Sequence, residues 1–161
     1  MTRFVLVFAA LVLVLLAAEL TPPVQRVVVV PWTQALVGSS AGLMTLLDAN
    51  VVAAGKVLQS TRTGFAVSIE AGCNGLEAAI VLLAAMVAFP APWKHRAIGI
   101  VAGVFAVQVL NVVRVISLFY IGQWSPAAFE WAHLYVWQAL IMLDVLLVGL
   151  AWTRMLPAAR R

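Results

Sequence analysis

The feature that most constrains this chain is a set of long stretches almost empty of charge. They run from Phe4 to Leu20, from about Cys73 to Phe89, from about Ala97 to Ile121 and from about Trp131 to Trp152. Each is close to the roughly 20 apolar residues that a helix needs to cross a bilayer. A segment in hydrocarbon must satisfy its backbone groups internally, so these stretches are helices. With 65% of its 161 residues hydrophobic and 10% charged, the chain has too little polar surface for a soluble domain. The expected fold is an all-α polytopic membrane protein, one integral domain over 1–161, with about four transmembrane helices at 4–20, 73–89, 97–121 and 131–152.

Between the first two stretches the pattern changes twice. Pro22 and Pro23 end the first span, because proline cannot continue the hydrogen-bond ladder. Arg3 precedes that span and no small-residue cleavage site follows it, so it reads as a retained helix rather than a signal peptide. The stretch 27–47 is apolar but interrupted by Pro31, Gly38, Ser39, Ser40 and Gly42. It reads as a helix lying at the membrane interface, entered at Pro31. Further on, Phe65, Val67 and Ile69 alternate with Ala66, Ser68 and Glu70. A period of two is a strand with one buried face. Thr61-Arg62-Thr63-Gly64 supplies a turn, so 56–69 is expected to be a short β-hairpin. Its open edges keep it out of hydrocarbon.

Charge sets the orientation. Lys94, Arg96 and the C-terminal Arg154, Arg160 and Arg161 mark cytoplasmic ends, and Arg3 agrees if 27–47 does not cross. The hairpin, the start of the second span and the loop from Gly122 to Phe129 then face outward. The net charge of +4 sits at span ends, which argues against a nucleic-acid partner. The lipid bilayer is the one partner that composition alone demands.

Three reactive side chains fall at that outer side. Cys73 lies in Gly72-Cys73-Asn74-Gly75, Arg114 in the outer half of the third span, and His133 at the start of the fourth. A cysteine attacks as its thiolate, which a helix N-terminus and a nearby cation both favour. Arg114 could be that cation, or a donor to the oxyanion that develops on an attacked carbonyl. His133 could carry the proton to a leaving amine. Each also has a bland reading: a packed cysteine, a snorkelling arginine, an interfacial histidine. Yet an arginine inside a span costs about 2.5–3.5 kcal/mol, which favours a function for Arg114.

Supporting roles can be assigned to Asn74, beside the cysteine, and to three further residues. Glu77 is one turn inward from Cys73 and could pair with Arg114 or simply satisfy a neighbouring helix. Asn111 shares a helix face with Arg114 and could orient its guanidinium. Glu130 lies one turn before His133 and could hold its tautomer. Asp144 reads as a hydrogen bond between helices. A metal site is poorly supported, because His95 and His133 lie on opposite sides of the membrane. No phosphate-cradling glycine loop and no Gly-x-Ser-x-Gly turn occurs, and no cofactor is expected.

At these residues the sequence resembles the exosortase/archaeosortase family. The resemblance rests on Ala71-Gly72-Cys73-Asn74-Gly75, Phe89-Pro90, Asn111-Val112-Val113-Arg114-Val115 and His133. It covers about 55–150 and is nearest the exosortase H branch. It implies a membrane cysteine transpeptidase or protease with Cys73 as nucleophile, Arg114 as thiolate or oxyanion stabiliser and His133 as general acid/base. The implied substrate is a membrane-anchored protein with a C-terminal sorting signal of the Ile-Pro-Thr-Leu…Trp-Gly type, processed at the outer face of a bacterial inner membrane. Hydrolysis, transfer to an unknown acceptor, and a homo-oligomer are all compatible with it. The hairpin beside Cys73 suggests capture of an extended substrate by strand addition, which Val67→Pro should block. Two other classes compete. A non-enzymatic scaffold should tolerate Cys73→Ala, and a small transporter should need Arg114 and Asp144 but not Cys73.

Overall fold

The computed structural model describes residues 2–156. Five helices and one small sheet make up the described residues. Helix α1 is Thr2–Glu19, and α2 is Pro22–Thr45 with a five-residue π segment at Gln25–Val29. Strands β1 (Val51–Ala54), β2 (Val57–Ser60) and β3 (Ala66–Ser68) follow. Helix α3 is Leu76–Ala88, α4 is Trp93–Trp124, and α5 is Pro126–Arg154 with a second π segment at Ala132–Val136. The architecture is that of a polytopic all-α membrane protein with a three-stranded antiparallel sheet.

Helices α1, α2, α4 and α5 are long and apolar enough to cross a membrane, whereas α3 has only 13 residues. That partition differs from the sequence reading at three places. Pro31 and the glycines do not interrupt α2. Val30 already bonds five residues back to Gln25 through the π segment, so the donor missing at Pro31 falls where the ladder is displaced. Helix α3 starts only at Leu76, because Gly75 holds a left-handed conformation (φ 75°) that a helix cannot contain. Helix α4 is also longer than expected at both ends, entered from Pro92 and running on to Trp124.

The short helix is the hub. It packs against α1, α4 and α5, and none of its residues is exposed. Two apolar clusters sit above and below the level where it begins. The lower one joins Leu82, Met86, Val107 and Trp152. The upper one joins α2 (Leu36, Val37, Ala41, Met44) to the sheet (Val51, Leu58, Ile69) and to the last turns of α4 (Val115, Phe119). Between them lies a layer of buried polar side chains: Thr33, Asn74, Asn111 and Arg114.

The sheet has the order β1-β2-β3, with Val51 opposite Ser60 and Leu58 opposite Val67. The β2–β3 pair lies within the expected hairpin; β1 is an addition. Its Val-Val-Ala-Ala run has no alternation, so periodicity gave no sign of it. The sheet is fixed to the end of α4 by Phe65, which lies over Gly122, where a Cβ would stand 2.3 Å from its ring. Thr63 Oγ1 donates to Gln123 Oε1 at 2.9 Å in the same place.

Candidate active site

Cys73 sits in a tight turn between β3 and α3. Its N–H bonds to Glu70 O at 3.0 Å, and glycines with positive φ flank it at Gly72 and Gly75. The cysteine therefore stands two residues outside the cap of α3 rather than on its first turn. The helix field, which fades within about one turn, aids the thiolate less than the sequence suggested.

The structure brings the three reactive side chains together. Cys73 Sγ lies 3.7 Å from His133 Nε2 and 3.8 Å from Arg114 Nη2. Arg114 is 3% exposed, and among the described residues no carboxylate forms an ion pair with it. His133 lies in the π segment of α5, and its ring stacks on Phe129 at 5.6 Å and 7°. Phe129 in turn meets Phe65 edge-on at 6.5 Å, so an aromatic chain runs from the sheet to the imidazole. Burial pushes the Cys73 thiol above its usual range. Arg114 pulls it down by a smaller amount, and Glu77 and Glu70 push it up.

Asn74 is the best-connected of the expected supporting residues. Its Nδ2 donates to Thr33 Oγ1 at 2.9 Å and its Oδ1 accepts from Leu76 N at 3.0 Å. Its carbonyl oxygen accepts from Trp32 Nε1 at 3.2 Å and from Gln108 Nε2 at 3.4 Å. The cysteine turn is thus clamped between α2 and α4. Trp32, Thr33 and Gln108 carried no signal in the sequence, because each acts across the fold.

The other three supporting residues are placed differently from expectation. Glu77 accepts from the Gly72 N–H and does not pair with Arg114; five residues back along a tight turn is nearer than the neighbouring helix. Asn111 is fully buried beneath Gly75, and neither amide atom is bonded among the described residues, so no hydrogen bond from it orients the guanidinium. Glu130 is exposed and does not bond His133, whose Nδ1 has no hydrogen-bond partner among the described residues. The stack on Phe129, one turn away on the same helix, holds the ring instead.

A cavity of about 480 Å³ opens onto the triad. Its polar lining includes Glu70 and Ser68 beside Cys73, Arg114 and His133, and its apolar wall includes Phe65, Val115, Leu118 and Phe129. The outer strand of the sheet, β3, forms one flank. Such an arrangement suits attack by sulfur on a carbonyl carbon: an imidazole on one side of the thiol to move its proton, and a guanidinium on the other to meet negative charge.

Across residues 2–153 the sequence matches the family model described as transmembrane exosortase (EpsH). No curated protein and no solved structure matches it.

Proposed function

The chain belongs to the transmembrane exosortase family, and from that premise we propose that it is a cysteine transpeptidase or protease. It cleaves the C-terminal sorting signal of membrane-anchored proteins at the outer face of a bacterial inner membrane. The observation that carries this reading is the meeting of Cys73, His133 and Arg114, from three separate elements, at 3.7 and 3.8 Å in one cavity.

The chemistry begins from a neutral thiol, since burial outweighs the pull of Arg114 on Cys73. His133 Nε2 takes the proton as Sγ attacks the scissile carbonyl carbon. The carbonyl oxygen becomes an anion beside the Arg114 guanidinium, which is already in place and needs no reorganisation. On collapse the C–N bond breaks, and His133 returns the proton to the departing amine. The signal peptide leaves, and the substrate remains as a thioester on Cys73. Water or an acceptor amine, deprotonated by His133, then displaces the sulfur. Glu77 and Asn74 hold the turn that carries the nucleophile, and neither touches the reacting atoms.

Depth supports an interfacial site. Along α4 the rise from Arg96 to Arg114 is about 27 Å, and along α5 that from Trp152 to His133 is about 28 Å. A hydrocarbon layer is about 30 Å thick. With Lys94 and Arg96 on the cytoplasmic side, the triad reaches the outer boundary, where a membrane-anchored substrate would expose its signal. The sheet and the second half of α2, which rises from Thr33 to the upper cluster, lie at headgroup level and beyond.

The test is incubation of the reconstituted full chain with a tagged substrate bearing an Ile-Pro-Thr-Leu-type signal, read by mass spectrometry. A new substrate C-terminus and a thioester on Cys73 are expected. His133→Gln should lower turnover about 10²- to 10⁴-fold, and Cys73→Ser should leave no thioester. Full processing by Cys73→Ser would end the proposal.

A further inference from the structure

The β2–β3 ladder settles which backbone groups of β3 are free. Ser60 N bonds Phe65 O at 2.8 Å, and Ile69 N bonds Lys56 O at 2.9 Å. In an antiparallel pair, bonded and non-bonded residue pairs alternate. The register sets Leu58 opposite Val67, so Phe65, Val67 and Ile69 turn their N–H and C=O toward β2. Ala66 and Ser68, the intervening residues, turn theirs the other way. That other way is outward, because β3 is an edge of the sheet. Both residues line the cavity that holds Cys73, Arg114 and His133.

We propose that this edge is the substrate's docking strand: an extended peptide hydrogen-bonds to the backbone of Ala66 and Ser68 and so lays its scissile carbonyl against Cys73. The proposal rests on the peptide-cleaving reading above and adds to it a defined recognition element. An unpaired strand edge is costly to leave open and is a ready template for another chain. Here it is set beside a thiol and a base, five residues from the nucleophile in sequence. Added strands bind through their main chain and are selected through alternate side chains. Every second side chain of the docked segment meets the wall of Phe65, Val115, Leu118 and Phe129. The segment it takes is therefore extended, with apolar residues at alternate positions and no charge on that face.

The register changes the choice of variant. Val67→Pro would remove an N–H that bonds β2 and so unpick the sheet, whereas Ser68→Pro removes an outward N–H and spares the ladder. Ser68→Ala is the control for the hydroxyl, which donates to Glu70 Oε1 at 2.8 Å. With the tagged signal substrate, Ser68→Pro should raise KM about three- to tenfold, the scale of one net hydrogen bond, and Ser68→Ala should not. Alkylation of Cys73 by iodoacetamide, which needs no strand pairing, should be unchanged in both. Independently of any variant, substrates N-methylated at successive amides should lose turnover with a period of two. Equal sensitivity at every amide, or none, would overturn the docking edge while a Cys73 thioester still formed. Absence of that thioester with the unmodified substrate would instead remove the reading on which it rests.

Discussion

Burial and the Arg114 guanidinium act on Cys73 in opposite directions, and burial is the larger of the two. Cys73 is thus held as a thiol near neutral pH, and its anion grows as pH rises through a range above the ordinary thiol one. The signs for neighbouring groups follow. Arg114→Leu removes the group that lowers the thiol's pKa, so iodoacetamide should alkylate Cys73 more slowly at any given pH and the midpoint should move up. Glu77→Gln keeps an acceptor for the Gly72 N–H but removes a charge that raises the pKa, so the midpoint should move down. A faster reaction in Arg114→Leu would contradict this balance. The convergence of Cys73, Arg114 and His133 was legible in the sequence, because each is a costly or reactive residue placed at one membrane level by hydropathy and charge. The partners of Glu77, Asn111 and Glu130 were not. A polar side chain on a helix can face several neighbours, and sequence spacing alone does not say which is nearest.

Two elements aim the site in ways that single residues do not. The first is the clamp on Asn74. Thr33→Val removes the oxygen that accepts from Asn74 Nδ2 and leaves a buried donor unpaired, which costs about 1–3 kcal/mol. The turn should loosen, kcat should fall with KM little changed, and Thr33→Ser should restore it. A fall in KM-dependent binding alone would point elsewhere. The second is the π segment Ala132–Val136, which carries His133. Deleting the exposed Leu134 would let the ladder close as a plain α-helix with its flanks still in register, so that only the local displacement that carries His133 is lost. Processing should be lost although the helix content measured by circular dichroism is kept. Retained processing would show that the extra residue is irrelevant to aiming the imidazole. Helix breaks at Pro22 and Pro90 and the turn at Thr61–Gly64 were readable, since they rest on local backbone chemistry. The continuity of α2 and the existence of β1 were not, because both depend on tertiary neighbours: a displaced ladder beneath Pro31, and β2 beside an unpatterned apolar run.

For the whole molecule, the proposed orientation predicts opposite sides for the sheet and the α3–α4 connection. In a Cys73→Ser chain, Arg62→Cys should react with a membrane-impermeant thiol reagent added outside spheroplasts, and Lys94→Cys should react only after permeabilisation. The reverse pattern would invert the site. The walled-in position of α3 has one more outcome. A helix of 13 residues, all buried or half-buried among three neighbours, is short for holding a place in lipid by itself. The turn at its summit inherits that dependence on its neighbours. On the proposed mechanism, a chain truncated before α5 carries the sulfur of Cys73 without the imidazole of His133, and it should form no thioester with substrate.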